Sequence, residues 1–142
     1  MKARVLFRFH RAFDVCVQNL KILRALNPSI AIDGMYGGDG GIESVPAEAM
    51  SLLDTCWAIP LDDARYKWMH GDLCARWWFK ERGRAQDFDH LYLIEWDLLF
   101  LKPLAEVFGP LQPGCNYGAL FGTGAAARAG GWCWLSGACG DE

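Results

Sequence analysis

Two carboxylates, Glu95 and Asp97, close an apolar run with strand character, His-Leu-Tyr-Leu-Ile-Glu-Trp-Asp over residues 90–97. An unpaired charge is costly to bury, so acids in such a run belong at the mouth of a strand, where a cation, a ligand or water reaches them. Residues two apart on a strand share a face, which would turn both acids toward one cation and Trp96 away from it. One carboxylate pair suits Mg2+ or Mn2+, hard cations that keep several waters and complete their shell with diphosphate oxygens. An acid-x-acid triplet is also common in any sequence, and an acidic turn after a strand would read the same way. Further charged residues of interest are Arg8 and His10 near the N-terminus and Lys67 and Asp72 ahead of the acids.

The elements that must position these residues alternate. Residues 3–9 are β-rich. Asp14 can then cap a helix whose apolar positions Val15, Leu20, Leu23 and Leu26 recur at helical spacing, with Asn27 and Pro28 as its stop. Residues 29–36 predict a second strand that closes on the glycine-rich run 37–41. Pro46 opens a short helix over 47–53, and residues 55–59 predict a third strand ended by Pro60. Residues 66–82 predict one amphipathic helix, with Tyr66, Met69, Leu73, Trp77 and Lys80 along one stripe and Gly83 as its stop. The acid-bearing strand follows. This alternation predicts an α/β fold, a mostly parallel sheet flanked by helices, which binds ligands at the carboxyl ends of its strands.

The 142 residues suit one domain, and a hydrophobic share of 52% suits a packed core. No apolar run is long enough to cross a bilayer. Arg8 and His10 interrupt what would be the apolar part of a signal peptide, so the expected location is cytoplasmic. The six cysteines show no zinc spacing and read as mostly reduced apolar residues, although an even count would also permit disulfides. A formal net charge of −3 argues against nucleic acid as a partner. From residue 109 onward Gly, Pro and Ala dominate, with one strand-like run at 117–121, and the chain reads as cut short.

The order of features resembles glycosyltransferases of the type A fold, the nucleotide-diphospho-sugar transferase superfamily. The resemblance rests on Leu-Tyr-Leu-Ile-Glu-Trp-Asp (91–97) in the place of that family's apolar-apolar-Asp-x-Asp metal strand. It rests also on Leu-Leu-Phe-Leu-Lys-Pro-Leu-Ala-Glu-Val-Phe (98–108), similar to the short strand and Pro-led helix after the motif, and on the basic and acidic helix before it. It covers roughly residues 3–121, with Glu95 in place of the first Asp. The resemblance implies a Rossmann-like domain over 1–142 whose C-terminal acceptor half is incomplete. It implies a nucleoside-diphosphate sugar as donor, and a glycan, lipid or small molecule as acceptor. Asp97 would be the main ligand of Mn2+ or Mg2+, and Glu95 would bind the metal, through water or directly, or else ribose or sugar. Arg8 and His10 would lie near base, ribose and diphosphate, Asp72 could accept hydrogen bonds from the sugar or fix Arg76, and Lys67 would also belong to the donor-binding residues.

Plainer readings stand beside each of these. Arg8 with His10 could be a surface pair at a strand end, and Asp72 with Arg76 an ordinary helix-surface ion pair. The glycine run could cradle phosphate through its amides, but it lacks the lysine of a P-loop and reads better as a flexible loop. Trp57, Trp68, Trp77 and Trp78 read as packing residues, and Trp132 and Trp134 as candidates to stack on a sugar. Asp141 or Glu142 could act as a general base. A haloacid-dehalogenase-like phosphohydrolase would require Asp where Glu95 stands. A nucleotidyltransferase would need a glycine-rich basic loop where residues 10–14 are. A domain that binds a nucleotide sugar without turnover is the alternative to an enzyme.

Overall fold

Strand β1 (Ala3–Phe9) alternates its side chains between two apolar layers, and that alternation organises the rest of the chain. The computed structural model describes residues 2–110. On one face of β1, Val5, Phe7 and Phe9 join a core with Cys16, Leu20 and Leu23 of α1 (Phe13–Leu26), Ala49 of α2 (Ala47–Ser51) and Leu104 of α5 (Leu104–Phe108). On the other, Leu6 packs with Met35, Ile59, Cys74 and Trp78, the last two from α4 (Gly71–Glu81). Because β1 is covered on both sides, Val5, Leu6, Phe7 and Phe9 are fully buried.

Strands β2 (Ala31–Tyr36), β3 (Thr55–Ala58) and β4 (His90–Glu95) complete a four-stranded sheet in the order β3-β2-β1-β4. Every pairing is parallel, so the fold is α/β with a Rossmann-like arrangement, as expected. The first two crossovers step outward from β1, and the third returns to place β4 on its other side. The direction of winding reverses between β1 and β4, where open parallel sheets form a crevice at their carboxyl ends. Arg8 and Glu95 are register partners at that point. None of the described helices is long and apolar enough to cross a membrane.

Several expected boundaries move. Helix α1 begins at Phe13, so Asp14 lies inside its first turn, where it favours the helix dipole without capping. The N-cap is Ala12, in the left-handed region at φ 50° and without a side-chain cap bond. At the far end of α1, buried Asn27 donates from Nδ2 to Leu23 O and accepts at Oδ1 from Leu104 N, tying α1 to the start of α5. Pro46 and Pro103 precede α2 and α5, as their fixed φ favours.

The helix expected over 66–82 is two helices, α3 (Ala64–Met69) and α4, broken at His70. Asp63 caps α3 by accepting from Tyr66 N at 2.9 Å. The expected apolar stripe is not the buried one: Tyr66, Met69 and Leu73 are exposed, while Lys67, Gly71, Cys74 and Trp78 face inward. Trp68, expected to pack, is 66% exposed, whereas Trp57 meets Trp77 edge to face and Trp78 is core. The break has a local cause. The carbonyls of Lys67 and Trp68, which an unbroken helix would turn toward residues 71 and 72, accept from Arg8 Nη2 at 2.8 and 2.6 Å.

Candidate functional site

The carboxyl ends of β1, β2 and β4 meet the start of the α3–α4 pair, and the charged residues singled out in the sequence sort into two groups there. The first is the acid turn. Strand β4 ends at Glu95, so Asp97 lies not on the strand but in the turn closed by Leu98 N donating to Glu95 O at 3.1 Å. Asp97 is exposed, and its charge is felt at both Glu95 and His10. The turn is held from the other side of the crevice: His10 meets the Trp96 ring edge to face at 5.7 Å and the Arg11 guanidinium sits 5.6 Å from its centroid. Asn19 of α1 donates to Trp96 O at 2.8 Å. Trp96 thus anchors the acid turn to the β1–α1 loop.

Glu95 accepts from Arg8 Nη1 at Oε1, at 2.7 Å, and its side chain remains 37% exposed. Burial pushes the Glu95 carboxyl above its usual range, Arg8 pulls it back by charge and hydrogen bond, and Asp97 adds to the upward push. His10 moves the other way, lowered first by burial and then by Arg11 and Arg8, with Asp97 opposing. Among the described residues no three of His, Cys, Asp and Glu converge on a metal position. Glu95 and Asp97 could offer oxygen ligands of the kind that Mg2+ or Mn2+ takes, with water or ligand oxygens needed for the remaining positions.

The second group surrounds a cavity of about 180 Å³ lined by Arg8, His10, Arg11, Lys67 and Trp68, together with Gly37, Gly38 and Asp39 of the glycine-rich loop. That volume is smaller than a site enclosing a whole drug-sized ligand. Lys67 is 5% exposed, and its Nζ donates to Gly38 O at 3.0 Å. Among the described residues its ammonium has no carboxylate partner. A buried cation is normally paired, so the Lys67 ammonium, bonded to one carbonyl, is a candidate to meet an anion. Among the described residues, Asp39 is the one acid on the lining, against Arg8, Arg11 and Lys67.

The glycine-rich loop is tied down more firmly than a flexible loop. Gly37 N donates to Phe9 O at 2.8 Å, Tyr36 Oη donates to Asp39 O, and Ser44 Oγ donates to Tyr36 Oη. A Cβ at Gly38 would come within 2.6 Å of His10 O, so only glycine lets the loop approach the end of β1 this closely. Comparison of the chain with protein-family models, with curated proteins and with solved structures found no match.

Of the residues expected to bind ligand, Arg8, His10 and Lys67 come together on the cavity, and Glu95 joins them through Arg8. Asp72 does not: it is exposed on the first turn of α4, is absent from the cavity lining and makes no ion pair with Arg76. Arg11 was missed, although it extends the basic run that starts at Arg8. Trp132, Trp134, Asp141 and Glu142 lie outside the described residues. Cys16, Cys56 and Cys74 are free thiols. Burial pushes Cys16 up to about 11 and Cys56 up to about 12, so neither is a nucleophile near neutral pH.

Proposed function

We propose that this chain carries the donor-binding part of a metal-dependent glycosyltransferase of the type A kind, acting on a nucleoside-diphosphate sugar. The observation that carries the reading is the buried Lys67 ammonium, without a carboxylate partner among the described residues, opening on a cavity at the carboxyl ends of a parallel sheet. A diphosphate suits it. Lys67 holds one phosphate by charge and hydrogen bond, and Arg11 adds positive charge at the rim. His10, Trp68 and the loop backbone offer flat and polar surfaces to base and ribose.

Asp97, with Glu95 beside it, would hold Mn2+ or Mg2+, and the cation supplies charge neutralisation for the departing diphosphate. The residues of the chain do the rest: they orient the donor and keep its phosphates against fixed positive charge as the sugar leaves. The acceptor, a glycan, lipid or small molecule, approaches from the open side of the crevice. The resemblance of residues 91–108 to the family's metal strand and following helix supports the same reading.

Calorimetry tests it with uridine and guanosine diphosphates, in Mn2+ and in chelator. Binding that requires Mn2+ and disappears in Asp97→Ala is the expected result, while undiminished binding in that variant rejects the site. Turnover of a nucleotide sugar, measured next, separates an enzyme from a domain that only binds.

A further inference from the structure

The Arg8 guanidinium is held at three points and touches a fourth. Nη1 donates to Glu95 Oε1, and Nη2 donates to the carbonyls of Lys67 and Trp68. Its plane lies against the backbone of Gly71, where a Cβ would fall 1.8 Å from Nη1 and 2.5 Å from Cζ. Three of its five N–H donors are thus spent on the protein, and although Arg8 also lines the cavity, its hold is mainly on protein atoms rather than on a donor, the role its position in the sequence suggested. Its contacts instead reach both groups of the site: the acid turn through Glu95, and the cavity through the end of α3, one residue from which the Lys67 side chain departs.

We infer that Arg8, seated on Gly71, is a positioning residue that fixes Glu95 by one oxygen and presents the other toward the cation site beside Asp97. This rests on the metal-dependent reading above and adds to it a device not visible in the acid motif. A planar fork fixed by several acceptors loses little further freedom on ligand binding, whereas a lysine would offer a single mobile point charge. Glu95 and Arg8 are cross-strand partners, so the hold spans the gap between β1 and β4 where the crevice opens. The requirement for glycine at 71 follows from the same geometry: any side chain there pushes on the fork and therefore on Glu95.

The test is Mn2+ affinity in the presence of uridine diphosphate, read from the electron paramagnetic resonance of free and bound Mn2+, on the full chain. Arg8→Lys and Gly71→Ala reach the same guanidinium from opposite sides, one altering the fork and the other displacing it, so if one fails to fold the other still decides. Each is expected to weaken Mn2+ binding about tenfold, the lower end of what loss of a residue supporting a ligand costs. In a Glu95→Gln background, neither is expected to weaken it further by more than about twofold, because Arg8 acts through Glu95. A full tenfold loss persisting in that background, or no loss in Gly71→Ala, overturns the inference and leaves the metal site standing. A wild-type chain that takes up no Mn2+ with the nucleotide overturns the functional reading, and this inference with it.

Discussion

Arg4 Nη1 and Asp33 Oδ2 lie 2.6 Å apart in a pair whose side chains are only 15% and 2% exposed. Thr55 Oγ1 donates to the other Asp33 oxygen at 2.8 Å, so a carboxylate in the middle of β2 is held on both sides by its neighbouring strands. Removing the cation strands the acid. Arg4→Met is expected to cost about 3 kcal/mol in urea unfolding, because it leaves a buried charge uncompensated. Arg4→Met with Asp33→Asn should recover most of that loss, since an amide there carries no charge. Equal stabilities for the single and double variants would show that Asp33 is solvated well enough without Arg4.

Lys67 makes the opposite prediction. Its stem is buried and its ammonium lacks a carboxylate partner among the described residues, so Lys67→Met keeps the packing and removes a desolvated charge. Thermal stability is expected to hold or rise, while nucleoside diphosphate affinity falls at least tenfold, the loss of a charged hydrogen bond of about 1.5–3 kcal/mol. The two readouts together are decisive. A lowered melting temperature with unchanged nucleotide affinity would mean that Lys67 serves only to hold the Gly38 loop.

Asp54 ties the end of α2 to both β2 and α1. Its Oδ2 accepts from Ile32 N and from Arg24 Nη2, each at 2.7 Å. Burial alone would raise its carboxyl, but the Ile32 hydrogen bond and then Arg24 outweigh it, and the group lies below its ordinary value of 3.8. A carboxyl lowered by folding stabilises the native state above its unfolded value, and the contribution disappears as pH falls through the folded one. At pH 6, Asp54→Asn is therefore expected to cost roughly 1 kcal/mol, kept small because the pair is partly exposed to solvent. The gap between the two proteins should narrow as the pH is taken below 3.8. A gap that stays constant down to pH 2 would rule the carboxylate out as its source.

The legible part of this chain is the part governed by short periods. The apolar runs from Ala3 to Phe9 and from His90 to Glu95 announce strands, and Pro46 and Pro103 announce the short helices they precede. The acid pair at 95 and 97 marks the end of the fourth strand for the same reason: apolar residues stop where burial stops. The glycine run was less legible as a rigid loop, because its hold comes from Phe9, Tyr36 and Ser44 rather than from its own residues.

The interior of the site was a different matter. A helical stripe through Tyr66, Met69 and Leu73 is as regular as the one through Lys67, Gly71, Cys74 and Trp78, and periodicity does not choose between them. Leu6, Met35 and the Arg8 guanidinium choose, by offering Trp78 and Cys74 an apolar layer and Gly71 a flat cation. Local pattern thus settled which segments become strands and that the fourth ends at Glu95, while Asp97, expected on the strand, lies in the turn beyond it. Whether an arginine points at a ligand or at Glu95, and whether a lysine is solvated or buried beside a cavity, depends on residues up to 87 positions away. Only when the sheet has assembled do those side chains acquire the surroundings that set their chemistry.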